Sequence, residues 1–318
     1  MAQNRNNSTA FIEAEQYSSF VLRNLFDGML PGTFYRNVSD FGSGTTLHIK
    51  TVGDVTIQDG GAEEVPFDYT SIESGEVTLQ ISEYVGDSWF VTDDLREDGA
   101  QVEQLMAERQ RGSVRAIQED FETKFLRKCN TLQVDADPNS VNGFAHRIAS
   151  TVATTGSENT FHLGDLVKMK LAFDKANVPS SGRVGILDPV CAATLDMLVT
   201  VTHDVTPFGE KILSNGFERD HDFLMSLYGW NLITSNRLDK GTFSDGTTSV
   251  TDAVANVFMC IADDNCKPVM AAWRRMPSVE GERNKDLRRD EFTQSARYGF
   301  GGQRVDTLGI YITSASKF

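Results

Sequence analysis

The chain has 318 residues, 40% of them hydrophobic, with 45 acidic and 30 basic side chains and a formal net charge of −15. That length and apolar share allow a substantial core and exclude wholesale disorder. The acidic balance excludes tight gripping of nucleic acid, which needs a basic face, although an acidic protein can enclose DNA without holding it.

The opening residues, MAQNRNNSTAFIEAEQ, lack the basic-then-apolar run of a signal peptide. The apolar runs Val257–Ala262 and Pro268–Trp273 are too short to span a bilayer, so no membrane contact is expected. Cys129, Cys191, Cys260 and Cys266 contain no Cys-x-x-Cys pair and are expected to be free, mostly buried thiols in a reducing cytosol.

Residues 1–40 are polar at first and then carry a short apolar-periodic segment, Phe11 to Phe26, broken by Gly28-Met29-Leu30-Pro31-Gly32. They predict an arm with one small helix. In Thr45–Val52, Leu47, Ile49 and Thr51 alternate with His48, Lys50 and Val52, and Val77, Leu79 and Ile81 alternate again. The connection between them, residues 59–76, is glycine-rich and acidic. Residues 41–92 therefore predict a β-ribbon. A two-stranded ribbon is marginal in water by itself, so it is expected to rest on something else, such as another subunit.

Residues 95–130 predict one helix, roughly 50 Å long at 1.5 Å per residue. Asp93 and Asp94 suit its positive end. Val102, Leu105, Met106, Val114, Ile117, Phe121 and Phe125 fall at helical spacing, Asp120 and Lys124 form an i,i+4 pair, and Gly112-Ser113 marks a bend. A polar connection with a β excursion spans residues 135–159. A shorter helix, Leu163–Asn177, is expected to turn Leu166, Val167, Leu171 and Phe173 inward. Pro179 ends it, Gly182 turns the chain, and Arg183–Leu187 reads as a short buried strand. Asp188 caps and Pro189 opens a further helix to Thr200. Residues 201–256 mix short strands and loops. VFMCIA and PVMAAW, within 257–275, read as a buried strand pair, and Leu308–Thr313 as a closing strand.

Catalytic motifs are missing. There is no phosphate-binding loop, no His-Glu-x-x-His and no Gly-x-Ser-x-Gly. Gly299-Phe300-Gly301-Gly302 lacks the later glycine and the flanking elements of a dinucleotide site. Asp135-x-Asp137-x-Asn139 begins like a calcium loop, but Ser140 stands where a glycine is needed and His146 where the closing glutamate should be. His203-Asp204 and Asp220-His221-Asp222 could contribute to a zinc site only if the fold joined them. Cys129 or Cys191 as a nucleophile would need a histidine beside it. Trp89, Trp230 and Trp273 read as packing residues. Glu63 and Glu64, adjacent in an extended chain, point apart and do not form an acid/base pair.

Charge segregation is the one feature that rises above this background. Residues 54–98 hold thirteen acidic side chains against a single basic one, Arg96, while residues 267–304 hold nine basic against five acidic. The bland reading is two solvated surfaces. The sharper one pairs Asp59, Glu63, Glu64, Asp68, Glu73 and Glu76 of one copy with Arg283, Lys285, Arg288 and Arg289 of a neighbour, a contact that would set register and partner choice.

The order of these segments resembles the HK97-like fold of tailed-bacteriophage major capsid proteins. The string Val178-Pro179-Ser180-Ser181-Gly182-Arg183-Val184-Gly185-Ile186-Leu187-Asp188-Pro189 is similar to a segment of short-tailed-phage coat proteins. So are Leu227-Tyr228-Gly229-Trp230-Asn231-Leu232-Ile233-Thr234-Ser235-Asn236 and the ending from Arg297-Tyr298-Gly299-Phe300 to Gly309-Ile310. The resemblance implies an α+β fold with an N-terminal arm (1–40), an extended loop (41–92), a P-domain with a long spine helix (93–180 and 290–318) and an A-domain (181–289). It implies a non-enzymatic shell subunit of the virion, assembled in the host bacterial cytoplasm and needing no cofactor. Its partners would be copies of itself in hexameric and pentameric capsomers, scaffolding and portal proteins and a decoration or cement protein. Packaged double-stranded DNA would be enclosed without sequence-specific binding. A nanocompartment shell with a cargo groove, and a hydrolase whose metal pocket collects His203 and His221, remain open alternatives here.

Overall fold

The computed structural model describes residues 30, 32–38, 44–53, 57, 71–99, 102–134, 139–150, 159–201 and 225–317. The helix expected over residues 11–26 lies outside them. In chain order the elements are β1 (Arg36–Asn37), β2 (Thr46–Val52), β3 (Ser74–Thr92), α1 (Asp93–Asp98), α2 (Val102–Leu132), β4 (Ser140–Val141), β5 (Phe144–Ala145), β6 (Arg147–Ala149), α3 (Leu163–Lys175), β7 (Arg183–Leu187), α4 (Pro189–Val201), β8 (Met225–Leu227), β9 (Trp230–Thr234), β10 (Lys240–Ser244), β11 (Ser249–Cys260), β12 (Val269–Asn284), β13 (Arg289–Gly302) and β14 (Leu308–Ser314).

Two sheets organise these elements. The first has the order β1-β12-β13-β3-β2. β2 pairs antiparallel with the start of β3, from Thr46 opposite Gln80 to Val52 opposite Ser74, which is the expected ribbon. β3 then continues beyond β2 and pairs with β13 as far as Thr92 opposite Arg289. β12 and β13 form a hairpin closed between Asn284 and Arg289. The Asn284 side chain caps that turn, accepting from the backbone N–H groups of Asp286 and Leu287 at 3.2 Å each.

The second sheet has the order β6-β14-β11-β7-β9-β8, with β10 on β11. β7, the sequence RVGIL, is buried along its whole length, as a strand covered on both faces must be. It runs parallel to β9, and α4 provides the crossover. The Asp188 carboxylate accepts from the Val190 N–H at 3.1 Å, the expected cap of α4. Trp230 stands edge-on to Phe173 and Phe258, with ring centroids 4.8 and 4.9 Å apart. Such pairs add about 0.5–1.5 kcal/mol each beyond the area they bury. Gly182 turns the chain into β7 at φ +68°, with the backbone of Ala262 so close that a Cβ would meet it at 2.7 Å.

α2 joins the two sheets. Its 31 residues make a rod about 46 Å long. Phe121 packs against Tyr35, Trp273, Tyr298 and Phe300, with centroids 4.4 to 5.4 Å away. One residue on, the buried Glu122 carboxylate accepts from the Leu30 N–H, the Ser235 hydroxyl and the Arg237 guanidinium, at 3.1 to 3.3 Å.

Several expectations need correction. The single helix over 95–130 is two helices, because Gly99 leaves the helical region and caps α1 by donating to the Leu95 carbonyl. α2 runs without a break through Gly112-Ser113. Val167 and Leu171 face outward, at 43% and 42% exposure. β11 and β12, read as one strand pair, belong to different sheets: β11 lies between β14 and β7, and β12 between β1 and β13.

Candidate assembly surfaces

The far half of β3, with β12 and β13, makes a three-stranded plate. Strand alternation sends Glu83, Val85, Asp87, Trp89 and Val91 to one face. α2 covers that face through polar contacts. Lys124 bonds Glu83 at 2.8 Å and Asp120 at 2.9 Å, and Arg109 bonds Asp87 at 2.8 Å while lying over the Trp89 ring. The Tyr298 hydroxyl donates to Asp120 at 2.6 Å. Burial works against the charge on Lys124, but its two carboxylates outweigh that and raise its pKa. Trp89 stacks on Phe292 at 5.9 Å.

Among the described residues, the opposite face is open. Tyr84 and Phe90 stand on it at 68% and 56% exposure. The Arg289 guanidinium lies 4.5 Å from the Phe90 ring centre. Thr293 and Ser88 meet across the strands at 3.2 Å. Among the described residues, β12 from Met276 onward and β3 from Ser82 onward pair on one side only. Such edges invite another chain to pair or pack.

The candidate contact residues fall at the two ends of β3. Glu76, third in the strand, sits opposite Lys50 and contacts the His48 ring, and Glu73 is exposed just before it. Asp59, Glu63, Glu64 and Asp68 lie outside the described residues. The basic set clusters at the β12–β13 turn, beside Thr92. Glu76 and Arg289 are therefore about 50 Å apart at ~3.3 Å per strand residue. One copy does not bring the described members of the two sets together.

Part of the basic set is satisfied internally. Arg283 bonds Asp93 and Asp290, Arg289 bonds Glu291, and Arg96 bonds Asp290. The Arg283 bonds hold the Asp93 carboxyl below its usual range, and Arg289 does the same to Glu291. Lys285 and Arg288 are exposed and make no ion pair among the described residues. The sequence flagged the charge blocks but not these internal pairs, because Asp93 and Arg283 meet only once β3 and β13 are in register.

Among the described residues no three His, Cys, Asp or Glu side chains form a metal-holding group, and no helix is long and apolar enough to cross a membrane. His203 and His221 lie outside those residues. Cys129 and Cys191 are buried, and burial pushes both thiols up, Cys191 to about 12. Neither is suited to attack. Trp230 is fully buried and Trp273 stacks on Phe121, as packing residues do.

Among the described residues the chain is a two-sheet α+β body with a β2–β3 ribbon and a plate left open on one face. Residues 75–313 match the phage capsid protein family, and the chain belongs to that family. It is a major capsid protein with the HK97-like fold, the subunit from which a phage shell is made. The fold is similar to a solved structure from Mycobacterium phage Che8, at 17% identity and TM-score 0.67 over 96% of this chain and 98% of that one. It is also similar to the capsid of cyanophage P-SCSP1u, at 15% identity and TM-score 0.66 over 95% and 93%. A third similar structure is the mature capsid of bacteriophage PhiM1, at 11% identity and TM-score 0.67 over 98% and 95%. No curated protein matches the sequence.

Proposed function

We propose that copies of this chain associate as hexameric and pentameric capsomers into an icosahedral shell. The shell encloses packaged double-stranded DNA without reading its sequence. Assembly takes place in the host bacterial cytoplasm, with a scaffolding and a portal protein, and a decoration or cement protein binds the finished virion. The subunit works by shape and contact, without catalysis or a cofactor. Its proposed division is an arm (1–40), an extended loop (41–92), a P-domain (93–180 and 290–318) and an A-domain (181–289).

One observation carries this reading: the open plate, with Tyr84 and Phe90 exposed beside two strand edges that are unpaired among the described residues. A surface of that kind needs cover from another chain. Because the ends of β3 present different chemistry, the contact between copies is heterologous, and such contacts close into rings. The acidic ribbon (Asp59, Glu63, Glu64, Asp68, Glu73 and Glu76) of one copy meets the basic turn (Arg283, Lys285, Arg288 and Arg289) of the next, with Lys285 and Arg288 supplying the free charge.

The test is assembly followed by light scattering in rising salt, with Lys285→Glu/Arg288→Glu beside the wild type. Screening weakens contacts between exposed charges. Assembly should fall with salt and fall several-fold in the double variant, and Glu73→Lys/Glu76→Lys should recover part of it. Assembly indifferent to both salt and charge reversal would remove the ribbon-to-turn contact.

A further inference from the structure

We propose that Cys260 and Cys266 are a reactive thiol pair, which a low-molecular-weight disulfide such as oxidised glutathione converts into an intrachain disulfide. Cys260 is the last residue of β11, and its buried thiol points at the carbonyl oxygens of Pro179 and Ser181, 3.9 and 3.7 Å away. The chain then leaves the second sheet. Ile261 donates to the Gly182 carbonyl at 2.8 Å, and Cys266 donates its N–H to the Asp263 carbonyl at 2.9 Å, which turns the loop back on itself. The Cys266 side chain thereby returns to pack against the core cluster that contains Cys260.

Their exposures differ in a way that gives each a role. Cys266 is partly exposed and Cys260 is buried behind it. The Cys266 thiolate attacks one sulfur of oxidised glutathione, and one glutathione thiolate leaves. Burial raises the Cys260 thiol above its ordinary range, so it does not initiate; held next to the mixed disulfide on Cys266, it gives up its proton and attacks the Cys266 sulfur, and the second glutathione leaves. Two protons and two electrons pass from the protein to glutathione, so one protein disulfide and two glutathione thiols result. Cys129 and Cys191, sealed in the core, take no part.

The bond would close residues 261–265, within the 261–268 connection that is the covalent path from β11 in one sheet to β12 in the other. Bonding its two cysteines shortens the free chain between the sheets. The pair stays reduced in a cytosol and oxidises outside it. That timing rests on the shell reading, in which the particle leaves the cell.

The test is intact mass and peptide mapping of the folded full chain after incubation with oxidised glutathione. The expected result is loss of two hydrogens, a peptide linked between Cys260 and Cys266, untouched Cys129 and Cys191, and reversal by dithiothreitol. Cys260→Ser should stop at a glutathione adduct on Cys266, and Cys266→Ser should not react. A wild-type chain that stops at the adduct, links between copies or stays unmodified overturns the proposal. The measurement needs only folded chain. A chain that forms the bond but builds no shell counts against the shell alone, and a shell whose pair resists oxidation counts against the pair alone.

Discussion

Arg283 grips both carboxylate oxygens of Asp93, at 2.6 and 2.7 Å, and so ties the β12–β13 hairpin to the first turn of α1. The two residues are 190 positions apart in the chain. The geometry is bidentate, the arrangement that adds most specificity to an arginine–carboxylate pair. Because the Asp93 pKa is depressed from 3.8 in the folded chain, the pair's contribution is present above that value and fades as pH falls through the lower, folded value. An NMR titration of the Asp93 carboxyl should show a midpoint below 3.8 in the wild type, returning toward it in Arg283→Ala.

Glu122 is a buried charge with three donors converging on it. Removing it takes one carboxylate from the largely buried Arg237 guanidinium, which keeps its bond to Glu119 at 3.0 Å. Glu122→Ala should therefore cost roughly 3 kcal/mol or more, read as a shift in the urea midpoint at constant slope. Arg111→Ala, which removes a surface pair, should cost under about 1 kcal/mol.

His146 is buried, its Nδ1–H donating to the Asn139 carbonyl at 3.0 Å while Nε2 has no partner among the described residues. Burial lowers its pKa from 6.5. Above pH 6.5 the folded and unfolded chains both hold neutral imidazole. Below it the unfolded chain takes up a proton that the folded chain refuses, so stability declines as pH falls toward the folded value. Urea midpoints measured across this range should fall with acid in the wild type and fall less steeply in His146→Gln.

Tyr84 and Phe90 separate subunit stability from assembly. Neither side chain is part of the core, so Tyr84→Ser and Phe90→Ser should each change the unfolding free energy of the subunit by no more than about 0.5 kcal/mol. Both should reduce assembly yield in sedimentation. A loss of subunit stability with assembly intact would mean that the open face is not an interface.

The strands that alternate cleanly by polarity, β2 and the first half of β3, were legible in the sequence, and so was the apolar run of β14. So was the run from α3 through Gly182 and β7 to α4, where proline, glycine and an aspartate cap punctuate every boundary. The far half of β3 was less so. Its covered face carries Glu83 and Asp87, which lie inward because Lys124 and Arg109 on α2 neutralise them, and no periodicity of hydrophobic residues shows that. β13 was hidden for the same reason, since its covered positions include Gln294 and Tyr298. The false strand pair in residues 257–275 came from two apolar runs adjacent in sequence that belong to different sheets. Of the candidate contact, the sequence revealed the segregated charge. It did not reveal that Arg283 and Arg289 are already held within the copy, which follows only from the register of three strands.

Electron microscopy of the purified, self-associating chain tests the central claim most directly, because it shows whether copies of one polypeptide cover each other's plate and ribbon. The account predicts capsomer rings or closed shells, with the plate of each subunit covered by its neighbour. A stable monomer at every concentration, with Tyr84 and Phe90 still open to solvent, would contradict it.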